Sequence, residues 1–492
     1  MSAQEIAIQA TPPSQTAALS APPPRRRWRR RLLVALICLL ALLSVPTAGY
    51  LFILWYGNRD LQAAIEETDR GDPRWRLDDV LADREAIPDD KNSALVVMKV
   101  DTLLRPGGGF DLGRKFDHAF EDLKPERRLD AIQDDVLRKT LLKHSDAVKL
   151  ARTLKDYRGE GRYPIKYTAD FLGVNLEPLQ RSRSVAQMLQ CDAWVRAEDG
   201  DMAGAMQSCR AGLALSRAVG DEPILIAALV RVAEAHIAIA MLERTLAQGR
   251  APDEELKAML ELIRRDIDAP LLTKAIRGER AGFDALVADL SNSKLKLSGI
   301  LSGGRPTGSF EEWVIDTFPA LITQGRPQYL RLMNKAVEAS KLPPEQQGPA
   351  MEAIDQEVKE SRVALVRLLM PALSKVSQAH RRNQANLRCA LCAIAAERYR
   401  MQQGDWPASL QELVDKGFLD AVPTDPFDGQ PLRYKRVPGE GVIVYSVSYD
   451  GEDNGGVLNR QQPMQRGSDW GFQLWDESRR RQPPLPPKMI ED

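Results

Sequence analysis

Histidine and cysteine are scarce in this chain, at four and five in 492 residues. His118, His144, His236 and His380 lie far apart, and none falls in an HExxH spacing or beside a nucleophile motif. His236, on an Ala/Ile/Val-rich stretch, reads as a packing or surface histidine. The cysteines form no disulfide framework. Cys38 sits in an apolar run, Cys191 and Cys209 fall on neighbouring predicted helices, and Cys389-Ala-Leu-Cys392 is a lone CxxC without further ligands nearby. Buried thiols are the expectation for that pair. Excess charge is also missing: 68 Lys and Arg balance 68 Asp and Glu, which argues against a nucleic-acid partner. The Gly107-Gly108-Gly109 triplet lacks the spacing of a phosphate cradle, and no GxSxG or SxxK motif occurs. No reaction is named by any of these motifs.

What is present begins at residues 32–56, which carry no charge. At about 1.5 Å per residue this run is long enough to cross a hydrocarbon core of about 30 Å, and too long for the apolar region of a signal peptide. Trp55 and Tyr56 close it as interfacial aromatics do. Arg25–Arg27 and Arg29–Arg31 precede it, and Asp60, Glu66, Glu67 and Asp69 follow. The positive-inside rule then predicts a cytoplasmic N-terminus and an extracytoplasmic remainder, anchored in a bacterial cell membrane. Residues 1–31 read as a disordered cytoplasmic tail.

The rest predicts a mainly helical protein. Residues 57–380 read as one extracytoplasmic helical domain. Apolar residues recur at three- and four-residue steps, with turn signals at Gly200-Asp201 and Gly220-Asp221. Asn92 or Ser93 is expected to cap a helix ending at Leu104, and Pro252 followed by three acids to open another. Helices are also expected over 311–322, 327–340 and 349–400, with a break at Pro371 and a loop over 292–309. Arg277, Glu279 and Arg280 read as a solvated charged face.

The C-terminal part changes character. A helix ends at Gly404-Asp405-Trp406-Pro407, and a short helix follows from Ser409. Asp425-Pro426-Phe427-Asp428-Gly429 comes next, and Tyr445-Ser446-Val447-Ser448-Tyr449-Asp450-Gly451 after it. Strands are expected over 432–436 and 442–447, with a third over 470–475. In this order the three motifs resemble the C-terminal domain of type II secretion major pseudopilins of the G type, over about 60 residues. The resemblance implies a small α+β module with a short antiparallel sheet, assigned here to 381–476; the polar, proline-rich residues 477–492 read as a free tail. The resemblance also implies calcium in the acidic loop, with Asp450 and Asp453 as first ligands and Glu452 and Asn454 beside them. The chain departs from that family in its front half. No prepilin peptidase site or glutamate starts the apolar helix, and several hundred residues separate it from the module. The whole layout is similar to membrane-anchored bacterial families without an assigned reaction.

These readings converge on a single-pass envelope protein. Its expected partners are the lipid bilayer and other envelope proteins, and its expected role is interaction or scaffolding linked to type II secretion-like export. The alternative is an envelope hydrolase with a site between helices.

Overall fold

The computed structural model describes residues 25–105, 110, 112, 120, 123–157, 159–167, 171–291, 324–370, 372–462 and 465–485. The first 24 residues, Gly107–Gly109, His118, the expected loop over 292–309, the expected helix over 311–322 and Pro371 lie outside them. The chain divides into two compact units, Met1–Arg59 and Asp60–Asp492.

Helix α1 (Arg25–Gly71) carries the apolar run, and Leu32–Tyr56 present their large apolar side chains exposed. Its last turns, from Asp60, belong to the second unit. There Asp60 and Glu67 bind Arg331. Asp72, just past the helix, binds both Arg277 and Arg280. The expected solvated face at 277–280 is therefore wrong: Arg280 and Glu279 are buried. Three-residue spacing on one helix brings two guanidiniums to one carboxylate, which removes their need for water.

The second unit is mainly helical. Its front carries α2 (Leu77–Ala82), α3 (Ser93–Leu104), α4 (Ala131–Lys143) and α5 (Ser145–Arg152). Asn92 caps α3 by accepting from the Ala94 amide, and Asp130 with Gln133 closes a capping box on α4. The centre is α6 (Glu177–Glu198), α7 (Met202–Ala218) and α8 (Leu225–Gln248), each packed on the other two. Helix α7 is buried on nearly every face. Its small residues allow this: a Cβ on Gly212 would stand 2.5 Å from the Met241 methyl of α8. Helix α9 (Asp253–Ile267) has three acids in its first turn and buries Leu256, Met259, Leu260 and Ile263 at helical spacing. Then come α10 (Leu271–Ser291), α11 (Arg326–Ser340), α12 (Pro344–Glu360), α13 (Ala364–Leu369) and α14 (Leu373–Gln403). Helix α12 starts five residues before Pro349, where a helix start was expected, because Pro344 already has the φ of a first turn. Pro349 then costs it one backbone hydrogen bond.

After α14 the chain turns at Gly404, which is left-handed at φ 87°. Helix α15 (Leu410–Asp415) is capped by Ser409. Strands β1 (Arg433–Val437), β2 (Gly441–Ser446) and β3 (Trp470–Trp475) form an antiparallel sheet in that order, with Tyr434 opposite Val444 and Val444 opposite Phe472. All three expected strands are present. Central β2 is buried throughout, and the sheet packs on α14, with β3 also against α8.

Two features differ from the expected division. The boundary at 380/381 falls inside α14, whose Leu387, Leu391 and Ile394 share one core with α8 and with Phe472 and Leu474 of β3. The tail expected to be free from 477 is built into the fold as far as it is described. Arg480 is buried against Glu397 of α14, and its Nη1 also reaches the Gly249 carbonyl. Arg481 donates to the Ala247 carbonyl, and Gln482 pairs with residues 126–128. A polar composition reads as solvated only when its charges have no buried partners, and here they do.

Candidate functional site

The largest concentration of charge around a cavity lies in the second unit. The loop after α2, the segment 156–162, the turn at 221–223 and the start of α10 enclose a cleft of about 850 Å³. Local sequence explains how these pieces meet. Asn92, the cap of α3, also grips Arg162 from both sides: its Oδ1 accepts from the Arg162 amide at 2.8 Å, and its Nδ2 donates to the Arg162 carbonyl at 2.9 Å. Two glycines then bring the segment against the end of α7. A Cβ on Gly161 would sit 2.5 Å from the Ala218 carbonyl oxygen. A Cβ on Gly220, at φ 69°, would sit 2.0 Å from the Gly161 oxygen. Only glycine fits that contact and conformation.

The result is a convergence on Asp221. Arg84 Nε lies 3.0 Å from its carboxylate, Arg162 Nη2 3.3 Å and Lys274 Nζ 3.8 Å. Burial pushes the Asp221 carboxyl up, but Arg84, Lys274 and Arg162 outweigh it and hold it below the ordinary range. Arg84 also pairs with buried Glu222 at 2.7 Å, which takes the Tyr167 hydroxyl as well. Glu160 binds Arg231 at 2.7 Å, and behind it Asp266 is shared by Arg231 and Arg217. Arg231 and Asp266 are deeply buried. Buried ion pairs add little net stability, because desolvation offsets attraction, so this chain of charges is a functional candidate. Among the described residues the lining contains no histidine, serine, threonine or cysteine. The site is suited to holding charge.

The acidic loop singled out in sequence is placed elsewhere, beside the sheet. Its oxygens serve the loop itself. Asp450 accepts from the Glu452 and Gly467 amides, at 3.3 and 3.1 Å. Asp453 accepts from the Gly455 amide and the Tyr445 hydroxyl, at 2.9 and 3.1 Å. The Asn454 side chain donates to the Glu452 carbonyl. The loop closes on Asp469, which sequence reading missed; it is buried and accepts from the Asn454 and Gly456 amides. Calcium prefers six to eight converging oxygens. Among the described residues no group of three or more His, Cys, Asp or Glu is placed to hold a metal ion.

The second and third C-terminal motifs meet, and the first contacts β1. Asp425 accepts from the Ser446 hydroxyl at 2.7 Å and the Val447 amide at 2.9 Å, joining the second motif to the third. Tyr434 of β1 donates to the Pro407 carbonyl of the first at 2.8 Å. His236 is on α8 and its ring lies 5.4 Å from that of Trp470 of β3, beside a cavity of about 150 Å³. Burial lowers its pKa, as expected of a packing histidine. Cys191, Cys209, Cys389 and Cys392 are buried and free. Nothing in sequence marked Glu160, Asp221 or Lys274; the turn at Gly220-Asp221 was the one visible signal.

No protein-family model, curated protein or solved structure matches this chain.

Proposed function

We propose that the chain is a single-pass membrane protein whose second unit is an extracytoplasmic binding and scaffolding body. One observation carries this reading. Among the described residues, most large apolar side chains of α1 from Leu32 to Tyr56 are exposed, whereas the other helix of comparable apolarity, α8, is largely buried. Burying a large aliphatic side chain is worth about 1.5–3 kcal/mol. More than ten of them left in water would cost on the order of tens of kcal/mol, beyond the stability of an ordinary domain. A bilayer removes that cost. The arginines before the run and the acids after it support a cytoplasmic N-terminus.

Binding is favoured because charged groups of both signs dominate the described lining of the cleft. The bilayer and other envelope proteins are its partners. The link to type II secretion-like export rests on the three C-terminal motifs, and cross-linking to a secretion platform tests it. For the anchor, alkaline phosphatase and green fluorescent protein are fused after Asp492 in separate strains. Active phosphatase and a dark fluorescent fusion are expected. A bright fluorescent fusion with inactive phosphatase would refute the topology.

A further inference from the structure

We propose that the cleft around Asp221 receives the C-terminal carboxylate of a peptide, with basic residues just upstream of that carboxylate. The inference rests on the reading of this unit as a binding body.

The argument starts from charge. Five cations, Arg84, Arg162, Arg217, Arg231 and Lys274, share four carboxylates in the wall and the layer behind it. Arg277, on the same helix as Lys274, divides Asp72 with Arg280. Lys274 is the least committed of these. It lies 3.8 Å from Asp221 and 4.0 Å from Glu160, and among the described residues its ammonium donates no hydrogen bond. It is also 44 % exposed, so a ligand reaches it. Lys274 and Arg162 both reach Asp221, and the three N–H groups of the Lys274 ammonium are there for an incoming carboxylate.

The same lining carries the exposed acids Glu85, Asp90 and Asp156, with Lys91 among them. Asp156 is engaged by Lys155, whereas Glu85 and Asp90 form no ion pair among the described residues. The Lys274 ammonium and these exposed carboxylates line one cleft and orient a dipolar ligand, its anion on Lys274 and its cations toward Glu85 and Asp90. A bare dianion would meet the repulsion of these acids. The volume of about 850 Å³ exceeds what a single carboxylate fills and suits a few residues of extended chain.

The test uses the full chain in lipid nanodiscs and calorimetric titration. The probe is the tetrapeptide Gly-Lys-Lys-Ala as free acid, set against the same peptide with a C-terminal amide. The free acid is expected to bind at least about tenfold more tightly than the amide, the size of one lost charge-assisted hydrogen bond. Lys274→Gln, at an exposed position that leaves the core intact, is expected to weaken the acid by a similar factor and the amide little. Asp90→Lys is expected to weaken the Lys-containing acid and to spare Gly-Ala-Ala-Ala. Equal affinity for acid and amide, no binding of the acid to a folded protein, or equal binding of inorganic phosphate would each overturn the proposal. Reporter topology is read separately, so an intact anchor with no peptide binding refutes the ligand alone.

Discussion

The guanidinium of Arg480 lies buried against the carboxylate of Glu397, with Nη1 3.0 Å from Oε1 and Nη2 2.8 Å from Oε2. Glu397 is fully buried on α14 and also takes Arg400, whose Nη2 is 2.9 Å away. One carboxylate thus holds the chain end, the long helix and, through the Arg480 bond to Gly249, the turn after α8. Burial pushes the Glu397 carboxyl up, yet its two arginine partners prevail and hold it below the ordinary range.

Removing Glu397 leaves the Arg480 charge buried without a carboxylate, whereas Arg480→Ala still leaves Glu397 with Arg400. Glu397→Ala is expected to cost about 3–5 kcal/mol, and replacing both Glu397 and Arg480 by Met much less. Urea unfolding followed by circular dichroism in detergent measures this. A single variant with the wild-type midpoint would show that the pair contributes nothing.

Stability also depends on pH through Glu234. On α8 one of its oxygens takes the Ser182 hydroxyl, and the other has no partner among the described residues. Burial pushes this carboxyl up to about 8, against the pull of Ser182 and Arg231. The unfolded chain loses the proton near 4.5, and the folded chain keeps it to about 8. Between those values the folded state binds one proton more, so stability falls as pH rises and then levels off. Buried His380 runs the other way. Burial lowers it to about 4 from 6.5, so its contribution is lost as pH falls through that window. Glu234→Gln is expected to flatten the decline above about pH 5, with the gain over wild type widening toward about pH 8. Thermal midpoints at several pH values check this, and a gain of the same size at every pH would rule out titration of Glu234 as the cause.

Asp425 is the knot of the C-terminal motifs. Besides Ser446 and Val447 it accepts from the Phe427 amide at 2.9 Å and from Arg433 at 2.8 Å. Asp425→Asn replaces one acceptor oxygen by a donor facing donors. It is expected to cost about 3 kcal/mol and to loosen the sheet. Hydrogen exchange should rise at β2 amides before those of α7. Unchanged protection at β2 would mean that the motif is held by packing alone.

Much of the fold was readable because its signals are local. Asn92 marked the start of α3, Pro252 and its acids the start of α9, and Gly404 the end of α14. Alternating apolar residues and the Pro438-Gly439 turn placed β1 and β2 to within a residue. The misreadings share a cause. Arg277, Arg280, Arg480 and Arg481 look solvated in sequence because their partners, Asp72, Glu397 and the Ala197 and Ala247 carbonyls, are tens to hundreds of residues away. Asp469 was overlooked for the same reason, with its amide donors 13 and 15 residues earlier.

By itself the sequence determined the mainly helical class, the sheet, the uncharged run at 32–56 and the absence of a reaction motif. These depend on periodicity, turn chemistry and composition, which act over a few residues. Only the tertiary structure decided that the C-terminal sheet shares a core with α8 and α14, that Arg480 is clamped, and that Glu160, Arg162, Asp221 and Lys274 face one cleft. Those relationships depend on which distant charges lose their water together, and no local pattern encodes that.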